Sequence, residues 1–121
     1  MKNPLADMTH NHYYSFNLEG IHFVFLSFDY YESSAPETQH SMFLWIDNDL
    51  RKANDEKHRN LWSWIVVLTD KPIYSTTQDN YSQRQHWDEL FKLYNVNIVL
   101  SGNQGYYERY FSFIFYPKRH Q

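Results

Sequence analysis

Two short stretches hold side chains that could do chemistry, and each follows an apolar run. Asp70 comes directly after 61–68 and Thr69, and Asn103 follows Asn97-Ile98-Val99-Leu100 and the small pair Ser101-Gly102. A carboxylate and an amide oxygen suit a hard divalent cation such as Mg²⁺ or Ca²⁺ better than a transition metal that prefers imidazole. Gly105, two residues on, adds no side chain. Two ligands without partners bind weakly, so no cofactor is expected, or at most a weakly bound divalent metal.

The remaining candidates read as structural. His10 and His12 stand two apart, which on a strand would put them on one face like a metal pair; the expectation is two exposed histidines ahead of a strand. His22 has no second ligand type beside it and is expected to be packed or hydrogen-bonded. Asp47 and Asp49 would diverge on a helix and are expected to be surface charges. The sequon Asn80-Tyr81-Ser82 is short enough to be chance.

The elements that must position Asp70 and Asn103 follow from hydrophobic periodicity. Residues 1–11 read as a flexible lead-in. Tyr13-Tyr14-Ser15-Phe16-Asn17 and 21–28 flank Leu18-Glu19-Gly20 and predict a hairpin. The second run is apolar almost throughout and is expected to be an interior strand covered on both faces. The stretch 29–36 breaks the pattern and reads as a loop. From Gln39 to Asn54, apolar residues at spacings of three and four predict an amphipathic helix, followed by a charged linker over 54–60.

The run 61–68 is a second buried strand, ended by Thr69-Asp70-Lys71-Pro72. After a loop over 73–80, Ser82-Gln83-Arg84-Gln85 has the form of a capping box. A second amphipathic helix then carries Trp87, Leu90, Phe91 and Tyr94 and ends at Asn95. The strand 97–100 stops at Ser101-Gly102, and 106–116 closes the chain as an aromatic strand. Strands alternating with helices give an α/β fold, and right-handed crossovers make neighbouring strands parallel. Ligands in such sheets sit beyond the carboxyl ends of the strands, where Asp70 and Asn103 fall.

Composition narrows the function classes. In 121 residues, a fifth are aromatic and the formal net charge is −3. A chain of this length forms one modest core, and so much ring area argues against disorder. The charge leaves no footprint for nucleic acid, and the tail Lys118-Arg119-His120 is too short to supply one. No stretch has the apolar length of a membrane span, and no secretory signal is expected after Met1-Lys2-Asn3-Pro4. The absence of cysteine excludes disulfides and thiolate metal sites without deciding the compartment.

In order and spacing, several stretches resemble the C-terminal half of the catalytic domain of purple acid phosphatases, a branch of the calcineurin-like metallophosphoesterases. They are Tyr14-Ser15-Phe16 with Gly20-Ile21-His22-Phe23, the helix with Trp45 and Asp49-Leu50, Trp64 to Leu68, Lys71-Pro72-Ile73-Tyr74-Ser75, and Ser101-Gly102 with Tyr107-Glu108-Arg109. The resemblance covers roughly 12–112. It implies half of an α/β/β/α sandwich: a mixed sheet with two amphipathic helices, spanning 12–116 between the lead-in and a tail at 117–121.

Members of that family hold two metal ions that activate a water against a phosphate ester. The resemblance places metal-ligand histidines at the positions of Asp70, Asn103 and Gly105, and assigns Pro72, Gly102, Tyr107, Glu108 and Arg109 to the backbone of the motifs. These positions therefore read as a degenerate metal site. The loop 74–79, where the family often has further catalytic histidines, offers Ser75, Thr76, Thr77 and Gln78.

The function expected on this basis is a non-catalytic, structural or interaction module. It would pack against another chain, a copy of itself or the other half-domain, through an open sheet edge or an exposed aromatic patch. The alternative is a segment of a divergent metal-dependent phosphoesterase completed by another chain or by upstream sequence. Family members are usually secreted or lysosomal; the residues themselves leave the compartment open.

Overall fold

A computed structural model describes residues 12–55, 64–71, 81–104 and 109–116, with 81–84, 103–104 and 109–113 described in backbone alone. Strands β1 (Tyr13–Leu18), β2 (Ile21–Leu26), β3 (Trp64–Thr69), β4 (Ile98–Gln104) and β5 (Arg109–Phe115) form one five-stranded sheet in sequential order. β2, β3 and β4 are mutually parallel, while β1 and β5 are antiparallel edges, so the sheet is mixed. Helices α1 (Phe28–Ser33) and α2 (Pro36–Asn54) lie between β2 and β3, and α3 (Tyr81–Leu93) lies between β3 and β4.

Local chemistry explains the turns. Leu18 pairs with Ile21 across a two-residue turn in which Glu19 and Gly20 both have positive φ, 53° and 75°. A primed turn of that kind matches the twist of the strands and favours glycine. After α3, Asn95 takes φ 56° and Val96 N–H donates to the Phe91 carbonyl, an αL helix ending that asparagine tolerates. Asn97 then extends the β3–β4 pairing: its N–H donates to the Ile65 carbonyl (2.9 Å), and its Oδ1 accepts from Ile65 N–H (2.8 Å).

The two faces of the sheet differ. On one, the register row Ser15, Val24, Val67, Val99 and its neighbours Leu26 and Ile65 meet the helices. Met42, Ile46, Leu50 and Ala53 of α2 and Trp87, Leu90 and Phe91 of α3 complete this core. On the other face, Phe16, Phe23, Val66, Ile98 and Phe115 form one row, with Tyr14, Phe25, Leu68 and Leu100 in the next. Leu18, Ile21 and Trp64 make a third. None of these residues belongs to the helix-side core, although Val66 is buried among its neighbours.

The strand order accounts for this asymmetry. Crossovers of one hand between strands laid down in one direction put their helices on one side. β2 was expected to be covered on both faces; among the described residues the helices cover one of them.

Three other expectations change. Residues 28–33 form α1 where a loop was expected, and α2 begins at Pro36, a favoured first-turn residue. β4 does not stop at Ser101-Gly102 but runs to Gln104, with Asn103 opposite Tyr110 and Gln104 opposite Arg109. Ser82 is the second residue of α3, not a residue ahead of it, so the capping box is displaced. The lead-in 1–11, the linker 56–60, the loop 73–80 with the sequon Asn80, and the tail 117–121 lie outside the described residues.

Candidate functional site

Asp70 follows β3 at its carboxyl end, as a strand-end ligand would, but its carboxylate turns to α1. Ser27 Oγ–H donates to Oδ2 (2.7 Å), Phe28 N–H donates to Oδ1 (2.7 Å), and Asp29 N–H approaches Oδ2 at 3.4 Å. Ser27 is the N-cap of α1, and its Oγ also accepts from Tyr30 N–H at 3.1 Å. Together Ser27 and Asp70 satisfy amides that have no partner within the helix, and negative charge there suits the helix dipole. Lys71 adds contacts to Asp29 (3.2 Å) and Glu32 (3.7 Å). The loop after β3 is thereby tied to α1.

Beside Asp70, Thr69 and Ser101 are register partners, and their hydroxyls lie 2.6 Å apart in a buried contact. Thr69 Oγ1 also meets the Lys71 carbonyl at 2.8 Å. The register thus brings the end of β3 alongside Ser101, next to Gly102. Gly102 has no positive φ, and a Cβ built there meets no described atom within 4 Å. Neither its backbone nor its described surroundings require glycine. Asn103 lies within β4, not in a loop, and its side chain is not described. Pro72, Gly105, Tyr107 and Glu108 lie outside the described residues; Arg109 opens β5.

Do these residues fit the metal centre that the resemblance implies? Both oxygens of Asp70 already accept short hydrogen bonds, so a metal would have to displace the α1 cap. Among the described residues no three His, Cys, Asp or Glu side chains converge as a ligand group. The described residues therefore do not fit such a centre, and no chemical step is derived through it.

The main polar cluster lies elsewhere and includes a residue whose expected role changes. Asp49 is not a surface charge: Ser15 Oγ–H donates to its Oδ1 (2.9 Å), and His22 Nε2 lies 2.8 Å from its Oδ2. His22 Nδ1 meets the Asn17 side-chain amide. Ser15 and His22 have no solvent exposure, and the Asp49 side chain has 9%. This network joins β1, β2 and α2, and holds His22 as the structural histidine its surroundings suggested. Asp47, too, has a partner, accepting from the Tyr94 hydroxyl at 2.8 Å. Their positions on the helix, 47 and 49, carry no signal that separates them from exposed charges.

A second cluster gathers around Trp87. Tyr31, Phe43 and His86 pack against its ring, and the Tyr31 hydroxyl lies 3.3 Å from His86 Nε2. Burial holds His86 below its ordinary value of 6.5, with Glu89 acting the other way. Burial, then Glu32, raises Tyr31. His12 is exposed and stacks on Tyr30 at 3.9 Å between ring centroids; its sequence companion His10 is outside the described residues. An open cleft lined by Asn48, Arg51 and Tyr94 lies near the end of α2, which leads to the amino end of β3, away from Asp70.

No protein-family model matches the chain, and no solved structure matches it. Curated relatives do. It is 35% identical over 102 residues to purple acid phosphatase 13 of Arabidopsis thaliana, covering 80% of this chain and 17% of that protein. It is 33% identical over 105 residues to purple acid phosphatase 21 of the same plant, covering 83% and 22%. A phosphoenolpyruvate phosphatase of Allium cepa is 28% identical over 102 residues, covering 80% and 19%. The chain spans about a fifth of the length of these relatives.

Proposed function

Since the chain belongs to the purple acid phosphatase family over some four-fifths of its length, we propose that it is a non-catalytic module of that family. Its role is to pack against another polypeptide. The module extends over 12–116, and its sheet is one half of a sandwich. The observation that carries this reading is the Asp70 carboxylate. At the position the resemblance gives to a metal-ligand histidine, it is committed to Ser27, Phe28 and Asp29 at the start of α1. A histidine placed to hold a metal could not also serve as this acidic cap.

Two further features support it. On the second face the rows of Tyr14, Phe16 and Leu18 are apolar, as an interaction surface requires. The strand-end pair Thr69 and Ser101 is used in a contact of the protein with itself.

The competing reading is a segment of a phosphate-ester hydrolase completed by a second polypeptide, which the relationship to phosphatases favours. Elemental analysis with nitrophenyl-phosphate hydrolysis, run on the chain alone and on the chain together with any polypeptide that co-purifies with it, separates the two. The proposal expects substoichiometric metal and hydrolysis at the buffer rate. Stoichiometric metal, with metal-dependent hydrolysis abolished in a folded Asp70→Asn variant, would establish the hydrolase.

A further inference from the structure

We propose that Tyr31 of α1 and His86 of α3 form a pH-sensitive latch, which holds the last turn of α1 over Trp87 at neutral pH and lets it open in mild acid. No step of this depends on whether the chain is catalytic.

A helix of six residues is too short to persist on its own, so its tethers decide its state. The two ends of α1 are tethered differently. At the first turn Phe28 is fully buried, and Asp70 and Ser27 accept from the leading amides. At the last turn the Tyr31 carbonyl accepts from Gln39 Nε2 at 2.7 Å. The Tyr31 side chain turns to α3, with its ring 5.0 Å from Trp87 and 5.9 Å from His86 between centroids, and its hydroxyl 3.3 Å from His86 Nε2. The first end is therefore the pivot, and the second is the end that can swing.

His86 has the surroundings of a sensor. It is half-buried and packs against Phe43 of α2 and Trp87 of its own helix. Among the described residues, the ionisable groups facing it are Tyr31 of α1 and Glu89 of α3. Glu32 acts on Tyr31 and pairs with Lys71 at 3.7 Å, while α2 presents the Phe43 ring. A neutral imidazole can accept the Tyr31 O–H at Nε2, whereas an imidazolium carries N–H on both nitrogens and cannot. Burial disfavours the charged ring more strongly than Glu89 favours it. The ring therefore takes up a proton more readily once the turn has opened to water. Opening grows as pH falls below about 6.5, the ordinary value, and stops growing once the closed form is also protonated.

Trp87 gives the open state a compensation. Its ring is wholly buried, yet its Nε1 has no hydrogen-bond partner among the described residues. A donor kept from water without a partner is costly, and water entering the cluster can supply the acceptor.

Native-state hydrogen exchange of the ¹⁵N-labelled 121-residue chain, measured between about pH 7.5 and 5.5 and in low urea, tests the latch. The Tyr31 and Ser34 amides, which donate to the Ser27 and Tyr31 carbonyls, report the turn, and the Trp87 indole N–H reports access to the cluster. After correction for intrinsic exchange, protection at all three should fall below about pH 6.5, by at most about tenfold per pH unit, the limit for one proton. Their opening should be nearly indifferent to low urea because it exposes little surface, while the amides of Val67 and Val99 follow global unfolding. His86→Phe keeps a ring against Phe43 and Trp87 and should remove the pH response. Tyr31→Phe removes the hydroxyl and should lower protection at neutral pH by about 2- to 10-fold.

Protection at Tyr31 and Trp87 that ignores pH would overturn the inference, since the imidazolium would then keep the contact by donating to the Tyr31 oxygen. So would a urea response equal to that of Val67, which means that the turn opens only with the whole fold. A pH response that survives in His86→Phe would place the sensor elsewhere and overturn it as well. The first two outcomes are read on the parent chain and need no variant to fold.

Discussion

Replacing Asp70 with alanine removes the acceptor for two short hydrogen bonds, from Ser27 Oγ–H and Phe28 N–H, both 2.7 Å, and a long one from Asp29 N–H. Buried hydrogen bonds to a charged group contribute about 1.5–3 kcal/mol each, whereas a helix cap is worth about 0.5–2 kcal/mol. Asp70 is half-buried, so water replaces part of what is lost, and Ser27 Oγ still caps Tyr30. The Lys71 bridges add little, because the Asp29 side chain is 74% exposed. The net loss is about 2 kcal/mol, which lowers the urea midpoint by about 1 M at an ordinary slope.

Denaturation at a fixed protein concentration reads this loss, and amide exchange at Phe28 and Asp29 localises it. Asp70→Asn keeps one acceptor oxygen and should lose about half as much. Asp70→His should be as unstable as the alanine variant. An Asp70→Ala midpoint within about 0.2 M of the parent, with unchanged protection at Phe28 and Asp29, would refute the capping role.

The other predictions concern the core. Asp49→Ala removes the acceptor of Ser15 and His22 in a buried network and should cost about 2–4 kcal/mol in denaturant unfolding. Tyr116→Phe removes the hydroxyl that donates to Asp88 and should cost about 1 kcal/mol. His86 is held below 6.5 by burial, so the unfolded chain takes up its proton first as pH falls. Stability should therefore be unaffected by this group above about 6.5 and decline below it, until the folded group is also protonated. His86→Phe, which keeps the ring against Tyr31, Phe43 and Trp87, should flatten that slope in midpoints measured between about pH 5 and 7.

Much of the scaffold was legible because it follows periodicity. The hairpin and β3 came from β-rich and apolar runs bounded by turn residues, α2 and α3 from spacings of three and four; their order gave parallel neighbours, and the resemblance gave the mixed sheet. Failures occurred where a tertiary partner decides the local state. The six-residue α1 has an N-cap, Ser27, ahead of an acidic first-turn residue, Asp29, and that signal could have been read. Its strongest cap, however, comes from Asp70, 43 residues from Ser27. Asp49 looks like any polar residue of an amphipathic helix until β1 and β2 bring Ser15 and His22 to it.

The apolar pattern of β2 is a different case. An uninterrupted apolar run states that both faces avoid water; it does not state what covers them, and among the described residues the helices cover one. Likewise the resemblance located the positions of Asp70 and Asn103, but could not show that the first carboxylate faces a helix or that the second residue continues a strand. Those facts depend on where α1 sits and on the pairing of β4 with β5.

If Asp70 holds α1 in place of a metal, titrating the ¹⁵N-labelled chain with Mn²⁺ gives no saturable paramagnetic broadening centred on the amides of Phe28, Thr69, Asp70 and Ser101, and no difference there between the parent and Asp70→Asn. Saturable broadening at about one equivalent, focused on those amides and lost in Asp70→Asn, would contradict it.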